Sequence, residues 1–274
     1  MRFLLLLPLT LLLGLMGCQQ TPYHLSRTYT SPNQDSRIRY LIVHYTQADD
    51  ARALQLLTTA GSGVSAHYLL STPGPDGKPT LYALLPESQR AWHAGRSSWH
   101  HQTAMNDRSL GIEVVNSGYQ PADARGPLMT RYWPPFPQSQ LHALASLLQQ
   151  LSDRYHIPPQ NLLGHSDIAP GRKVDPGPAF PWHYLYQRYR LGAWPEENRV
   201  RALLQQGLPE LDITALQHDL ARYGYAVPAS GVLDDTTRQV VQAFQLHFRP
   251  SRFDGEPDAE TRARLQALLE KYVD

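Results

Sequence analysis

The sequence predicts an α/β fold, in which helices flank a mixed central β-sheet, followed by a small C-terminal three-helix domain. Short apolar segments such as 39–46 and 109–116 have the β-branched and aromatic content of buried strands. They alternate with segments of helical periodicity, and both hairpin and crossover connections join them, which favours a mixed sheet covered by helices. The composition changes after Trp194-Pro195, where a separate helical bundle is expected.

The first predicted domain covers residues 37–195. Asp49 or Asp50 is suited to cap a helix that ends near Gly61. Residues 73–79 are rich in Pro and Gly, and the apolar segments on either side of them predict a hairpin with a long loop. A later amphipathic helix is indicated by apolar residues at helical spacing: Leu141, Leu144, Leu147, Leu148, Leu151 and Tyr155.

The second predicted domain covers residues 200–274 and contains three short helices. Asp234 and Asp258 precede the second and third helices as N-cap residues. The three apolar stripes consist of Ile213, Leu216, Leu220 and Tyr223, of Val240, Val241, Phe244 and Phe248, and of Leu265, Leu268 and Leu269.

Composition and charge exclude some classes of partner. The chain has 274 residues, with 25 Lys and Arg against 24 Asp and Glu. Nucleic acid is excluded as the main partner, because phosphate binding needs a clustered basic face and the sequence contains none. A single Cys also excludes an intrachain disulfide framework.

The N-terminal segment predicts export and lipid anchoring. Residues 1–17 have one early cation and an apolar run that is too short to span a bilayer, as in a secretory signal peptide. The sequence Leu15-Met16-Gly17-Cys18 resembles the lipobox of bacterial lipoproteins, which implies acylation of Cys18. Gln19 at the next position resembles an outer-membrane sorting signal, so we expect a lipid-anchored protein facing the periplasm, with residues 18–36 as a tether. An ordinary signal peptide is the alternative.

A turn-rich loop over residues 164–178 carries the residues of a candidate metal site. His165, Lys173 and Asp175 lie within it, and Pro and Gly residues restrict its conformation. Zinc binds His nitrogen and Asp oxygen, and a catalytic zinc has three protein ligands and one open position. His44, at the end of a predicted buried strand, is the best candidate for the third ligand. Taken singly, each residue has a simpler explanation, since Asp175 suits a turn and either His suits a core hydrogen bond.

Together these motifs resemble the zinc-dependent N-acetylmuramoyl-L-alanine amidases, which share a fold with peptidoglycan recognition proteins and phage T7-type amidases. The resemblance runs from about Ile38 to Leu191. It is carried by Val43-His44-Tyr45-Thr46, Ser65-Ala66-His67-Tyr68, Ala91-Trp92-His93-Ala94-Gly95, Gly111-Ile112-Glu113 and the loop 164–178.

The resemblance implies one zinc ion per chain, held by His44, His165 and Asp175. It also implies that Glu113 is the general base and acid and that Lys173 stabilises the oxyanion. Some relatives have a catalytic Tyr where this chain has Ala66, so proton transfer is assigned to Glu113. The substrate implied is peptidoglycan or its muropeptide fragments, in intact or anhydro form, and the chain is expected to be a monomer.

Several alternatives stay open at this point. His67 and His93 either bind substrate or satisfy hydrogen bonds in the core. Trp92 and Trp99 either stack on sugar rings or pack in the interior. The segment from Leu216 onward resembles a peptidoglycan-binding three-helix domain, which either binds glycan or supports the catalytic domain. A recognition protein without hydrolytic activity, or a wall-tethering lipoprotein without a metal, are the competing functions.

Overall fold

The computed structural model describes residues 21–119 and 126–274. The predicted signal peptide and Cys18 lie outside the described residues. The chain divides into two units, Met1–Asp35 and Ser36–Asp274. The described part of the first unit, residues 21–35, contains no helix or strand. Within the described ranges, no helix is both long and apolar enough to span a membrane.

The second unit is built on a five-stranded mixed sheet, as the sequence predicts. Its strand order is β3-β2-β6-β1-β7, in which β1 is parallel to β6 and β7, β2 is parallel to β6, and β3 is antiparallel to β2. Strands β4 and β5 form a separate small hairpin. The strands are β1 (Tyr40–Tyr45), β2 (Tyr68–Pro73), β3 (Pro79–Ala83), β4 (Ser98–Trp99), β5 (Gln102–Thr103), β6 (Ser109–Val114) and β7 (Leu162–Gly164).

Helices cover both faces of the sheet around β1, an interior strand. Every residue of β1 is buried, as expected for an interior strand of a covered sheet. The predicted cap is confirmed, since the Asp49 side chain accepts a hydrogen bond from the Arg52 N–H at the start of α1. The first four helices are α1 (Asp50–Thr58), α2 (Gln138–Tyr155), the single turn α3 (His165–Ile168) and α4 (Trp182–Tyr189).

The last helices are α5 (Glu197–Gln206), α6 (Ile213–Tyr223), α7 (Asp235–Phe248) and α8 (Ala259–Tyr272). Asp234 and Asp258 cap α7 and α8 as predicted. The sequence reasoning missed α5, because only Val200 and Leu203 of this mostly polar helix are buried. Both pack against α8.

The loops between α6, α7 and α8 share one repeated hydrogen-bond arrangement. The buried Gln217 amide of α6 donates to a threonine hydroxyl on α7, at 2.8 Å, and accepts from the Gly231 N–H, at 2.8 Å. Gln245 of α7 donates to a threonine hydroxyl on α8, at 3.0 Å, and accepts from the Gly255 N–H, at 2.8 Å. The two glycines have φ values of 70° and 81°, which a residue with a Cβ adopts at a cost. These three helices therefore form two overlapping copies of one helix–loop–helix unit, and we call them the C-terminal helices.

Candidate metal centre

The strand register brings three site residues into one row. His44 on β1 lies opposite Glu113 on β6, and Val43 lies opposite Gly164 on β7, so His165 follows at the next position of that neighbouring strand. Parallel strands place their carboxyl ends at the same edge of a sheet, which is where α/β proteins bind ligands. The sheet therefore sets His165, His44 and Glu113 side by side at this edge.

Asp175 completes a group that could hold a metal ion. Nδ1 of His44 lies 3.0 Å from Nδ1 of His165 and 2.9 Å from Oδ2 of Asp175, and His165 Nδ1 lies 3.0 Å from the same oxygen. All three residues are buried. The loop reaches this position because the Ser166 N–H donates to the Asp175 carbonyl at 2.9 Å.

A chain of hydrogen bonds fixes the proton of His44 on Nε2, the ring nitrogen that faces away from His165 and Asp175. The Ser109 hydroxyl donates to the Met105 carbonyl at 2.6 Å, so Ser109 Oγ accepts from His93 Nε2 at 3.1 Å. His93 Nδ1 is then unprotonated and accepts from His44 Nε2 at 3.0 Å. His44 Nδ1 consequently presents a lone pair to His165 and Asp175.

His165 is oriented in the same way by a backbone acceptor. Its Nε2 lies 3.1 Å from the Ala94 carbonyl oxygen. The Arg172 guanidinium, which can only donate, lies farther from the same nitrogen, at 3.3 Å. Because the nearer carbonyl only accepts, we assign the proton to Nε2, which leaves Nδ1 free to coordinate, the arrangement usual for histidine ligands of metals.

These tautomers make the donor set fit a metal cation. Two imidazole lone pairs and one carboxylate oxygen lie about 3 Å apart with no proton between them, and such a cluster is unfavourable unless a cation neutralises it. Burial, with His165 nearby, lowers the pKa of His44 to about 4, and therefore favours the neutral imidazole.

His93 reaches this position because β6 has a glycine beneath it. A Cβ on Gly111 would lie 2.4 Å from the His93 ring, so any other residue would displace the imidazole that supports His44. Burial, followed by the neighbouring His44, keeps the pKa of His93 well below its usual value. His93 is thus a neutral link between Ser109 and His44.

Glu113 and Lys173 border the same cleft. Glu113 is partly exposed, but its Oε2 is buried without a hydrogen-bond partner. Burial and the Asp175 carboxylate raise the pKa of Glu113 well above its ordinary value, while Lys173 opposes this shift. A bound divalent cation would also oppose it, since positive charge favours the carboxylate. Lys173 itself is exposed to solvent at the cleft.

The cleft encloses about 390 Å³ and is lined by all five residues assigned to zinc and catalysis, together with His93 and an apolar wall that includes Leu57 and Val64. Trp92 also lines it and is 56% exposed. Trp99 is completely buried, so it does not stack on a ligand.

His67 does not line the cleft. Its side chain is fully buried, its Nδ1 accepts from the Gly111 N–H at 3.0 Å, and its Nε2 lies 3.1 Å from the Gln89 carbonyl. Both ring nitrogens are therefore used by the backbone. Of the two alternatives for His67, the structure favours core hydrogen bonding and gives no support to substrate binding.

Some supporting residues escaped the sequence reasoning. Ser109 and the Ala94 carbonyl fix the histidine tautomers, and Arg172 donates to the same carbonyl at 2.6 Å. Ala94 lies in the motif Ala91-Trp92-His93-Ala94-Gly95 and Arg172 lies in the loop 164–178, but nothing in the spacing of either shows which atoms face the proposed metal ligands.

An α/β sheet with two imidazoles and two carboxylates at its carboxyl edge is typical of metal-dependent hydrolases. Comparison with known proteins identifies the family. Residues 34–178 match the family model described as N-acetylmuramoyl-L-alanine amidase, and residues 209–265 match a putative peptidoglycan binding domain.

Individual relatives agree with this match. The chain is 45% identical over 240 residues to N-acetylmuramoyl-L-alanine amidase AmiD of Escherichia coli (strain K12), covering 86% of this chain and 84% of AmiD. It is 38% identical over 107 residues to the 1,6-anhydro-N-acetylmuramyl-L-alanine amidase AmpD of Enterobacter cloacae, covering 39% of this chain and 49% of AmpD.

Two solved structures share the fold over nearly the whole chain. One is E. coli AmiD in complex with the substrate anhydro-N-acetylmuramic acid-L-Ala-D-γ-Glu-L-Lys, with a TM-score of 0.81 and 42% identity over 92% of this chain and 97% of that one. The other is AmpDh3 from Pseudomonas aeruginosa in complex with an anhydromuramic pentapeptide, with a TM-score of 0.81 and 36% identity over 93% of this chain and 100% of that one.

The chain therefore belongs to the N-acetylmuramoyl-L-alanine amidase family and is an enzyme of that class. The predictions of fold class and of enzymatic activity are confirmed. The competing function was recognition of muropeptides without catalysis. The complete group of three residues that could hold a metal ion favours the enzyme over this alternative.

Proposed function

We propose that the metal is a single zinc ion and that His44, His165 and Asp175 are its protein ligands. The observation that carries this proposal is the convergence of two unprotonated Nδ1 atoms and one carboxylate oxygen to within about 3 Å of one another. Three such ligands suit a catalytic zinc site with one open position. The chemistry that zinc supplies when bound is Lewis acidity, which lowers the pKa of water to about 7 and polarises an amide carbonyl.

Glu113 carries the proton in this proposal. It lies beside His44 in the sheet and lines the cleft, and its buried Oε2 has no hydrogen-bond partner in the described structure. As a carboxylate it takes the proton of the attacking water, and as the acid it then delivers that proton to the nitrogen of the leaving L-alanine. A group in this position contributes about 10² to 10⁴ in rate.

Lys173 stabilises the charge that develops on the scissile carbonyl oxygen. Its ammonium lies on the cleft and near enough to act electrostatically on His44 and Glu113. Lysine can only donate hydrogen bonds, and one preorganised donor of this kind contributes about 10² to 10³ in rate.

The substrate we propose is a muropeptide in which an amide joins N-acetylmuramic acid to L-alanine, including the 1,6-anhydro form. This rests on the anhydromuropeptides in the AmiD and AmpDh3 complexes, whose folds this chain shares. In this chain the exposed Trp92 ring and an apolar wall face the cleft, and such surfaces suit a sugar ring and the alanine methyl group.

Elemental analysis and product analysis test the proposal together. The purified enzyme is expected to contain one zinc per chain and to release the intact stem peptide, with L-alanine at its N-terminus, from an anhydromuropeptide. Cleavage inside the peptide would refute the substrate, and full activity after complete zinc removal would refute the metal. Comparing intact sacculi with soluble muropeptides, in the same preparation, determines which form is preferred.

We further propose that Cys18 is acylated, becomes the mature N-terminus when residues 1–17 are removed, and anchors the enzyme to the outer membrane, facing the periplasm. The support is the lipobox-like sequence before Cys18 and Gln19 after it. A Cys18→Ser variant is expected to take up no fatty-acid analogue and to leave the membrane fraction. Label that persists in this variant would refute the anchor.

A further inference from the structure

A second buried carboxylate, Asp167, lies on the metal-ligand loop and takes no part in the proposed reaction. It is fully buried and accepts three short hydrogen bonds. The Tyr225 hydroxyl donates to Oδ1 at 2.6 Å, while His247 Nδ1 and the Gly164 N–H lie 2.7 Å from Oδ2. Two of the three donors come from the C-terminal helices and the loop that joins them.

Asp167 also acts on the segment that carries His165. Both residues belong to the single turn α3, and the Asp167 carboxylate caps this turn by accepting from Gly164 at its start. A turn of four residues has little stability by itself. Its position therefore depends on what holds the Asp167 side chain.

The donors of Asp167 are themselves fixed by packing. The His247 ring stacks against Trp182 and Phe248, with centroid distances of 4.0 Å to each. Its Nε2 is buried and has no hydrogen-bond partner, so Asp167 is the one polar group that this imidazole contacts in the described structure. The Tyr225 ring packs edge-on against Trp99 at 4.8 Å, and Trp99 belongs to the β4–β5 hairpin that follows Ala94.

The other end of the same loop also contacts the C-terminal helices. Gly171 has a φ of 72°, and a Cβ at this position would lie 2.1 Å from Gln239 Oε1 on α7. The loop therefore lies directly against α7 between His165 and Asp175. Its two proposed metal ligands flank this contact.

We propose that Tyr225 and His247, acting through Asp167, position the His165 end of the metal-ligand loop, so that the C-terminal helices form part of the metal site's support. Burying a carboxylate is costly, and an apolar replacement is often at least as stable. The role of the buried Asp167 carboxylate is therefore to position α3, because its three hydrogen-bond donors come from separate segments and fix one orientation of this turn. The inference rests on the proposed role of His165 as a ligand.

The test measures the zinc dissociation constant of the full-length enzyme by competition with a chelator, together with the melting temperature of the metal-free protein. Tyr225→Phe keeps the ring against Trp99 and removes one donor, so zinc affinity should fall about 5-fold, the effect of one net hydrogen bond. Asp167→Ala removes all three bonds and should weaken zinc about 10-fold or more, as is usual for groups that orient metal ligands.

Two variants serve as controls. Asp167→Asn can present its oxygen to His247 and Gly164 and its amide to the Tyr225 oxygen, so zinc affinity should stay within about 2-fold of wild type. Tyr272→Phe removes a hydroxyl that bonds the Trp194 backbone, at 3.2 Å, away from the loop. It should lower the melting temperature without changing zinc affinity.

The outcomes separate this inference from the metal assignment. If Tyr225→Phe and Asp167→Ala lower the melting temperature but leave zinc affinity unchanged, the cluster is only an interface contact and the inference is wrong. The same holds if Asp167→Asn weakens zinc as much as Asp167→Ala, because charge and not geometry would then be responsible. If His165→Ala binds zinc as tightly as wild type, the ligand assignment itself fails.

Discussion

The two ends of the loop 164–178 each contain a buried aspartate, and the two carboxylates have opposite surroundings. Asp167 accepts hydrogen bonds from a hydroxyl, an imidazole and a backbone N–H. Asp175 faces two imidazole nitrogens, at 2.9 and 3.0 Å, whose protons lie on the far side of each ring. One carboxylate is satisfied by the protein, while the other needs a cation.

The difference shows that burial and histidine contacts do not by themselves mark a metal ligand. His247 approaches Asp167 as closely as His44 approaches Asp175. What distinguishes the two is the partner on the opposite ring nitrogen. His44 donates a hydrogen bond from Nε2 to His93, so its Nδ1 carries no proton. Nε2 of His247 has no partner, so the His247 proton is on Nδ1, which donates a hydrogen bond to Asp167.

The largest expected effect is the difference between two matched substitutions, in which the aspartate at each end of the loop is replaced by asparagine. Asp175→Asn should lower zinc occupancy severely and abolish turnover, because an amide is a poor zinc ligand and one of three ligands is lost. Asp167→Asn should keep zinc and most activity. Zinc content and turnover of both variants, measured side by side, check this prediction, and equal losses would remove the distinction between the two aspartates.

A smaller but still large loss of activity is expected when Glu113 is replaced and the three proposed zinc ligands are retained. Glu113→Gln keeps the size of the side chain and removes the base, so kcat should fall by about 10² or more. Zinc content and muropeptide affinity should stay near those of wild type, since Glu113 is not a proposed ligand. A near-normal kcat would exclude Glu113 as the proton carrier.

Lys173 tests the role of the positive charge on the wall of the cleft. Lys173→Met keeps much of the chain length and removes the ammonium, so kcat should fall about 10²-fold with a smaller change in KM. Lys78→Met serves as the matched control, because Lys78 is exposed in the loop between β2 and β3. Equal effects of the two substitutions, or a change in KM alone, would contradict an oxyanion role.

Much of the fold, and part of the candidate metal site, could be predicted from the sequence. The strand and helix patterns predicted the mixed sheet and the caps at Asp49, Asp234 and Asp258, because these signals are local. Strand ends and turn residues also drew attention to His44 and to the loop that carries His165.

The rest depends on contacts between distant segments. The neighbouring sequence does not show the different surroundings of Asp167 and Asp175. Asp167 contacts His247 and Asp175 contacts His44, and both histidines are distant in the sequence. His67 and His93 likewise look equivalent in sequence, but the structure directs only His93 toward the metal group. The proton positions follow from Ser109 and from the backbone carbonyl of Ala94, and neither contact can be read from the local sequence.

The remaining prediction is a pH dependence of stability that arises from His44, at the Asp175 end of the loop. The pKa of His44 is lowered from 6.5 to about 4 by burial, with His165 nearby. In the metal-free protein, folding therefore favours the neutral His44 ring. Protonation of this ring in the unfolded state does not oppose folding above pH 6.5. It lowers the free energy of unfolding by about 3 kcal/mol as the pH falls toward 4. Glu113 has a raised pKa and contributes the opposite slope, so stability at a single pH does not isolate His44.

A variant removes this ambiguity. The free energy of unfolding of metal-free wild type and of metal-free His44→Asn is measured by urea titration between pH 7.5 and 4. Both proteins retain Glu113, so its contribution largely cancels in the difference. That difference should shift by about 3 kcal/mol against wild type as the pH falls, because only wild type contains the His44 imidazole, which must be protonated or strained in the folded state. A difference that does not change with pH would mean that His44 is not held neutral, and the contrast between Asp175 and Asp167 would lose its electrostatic basis.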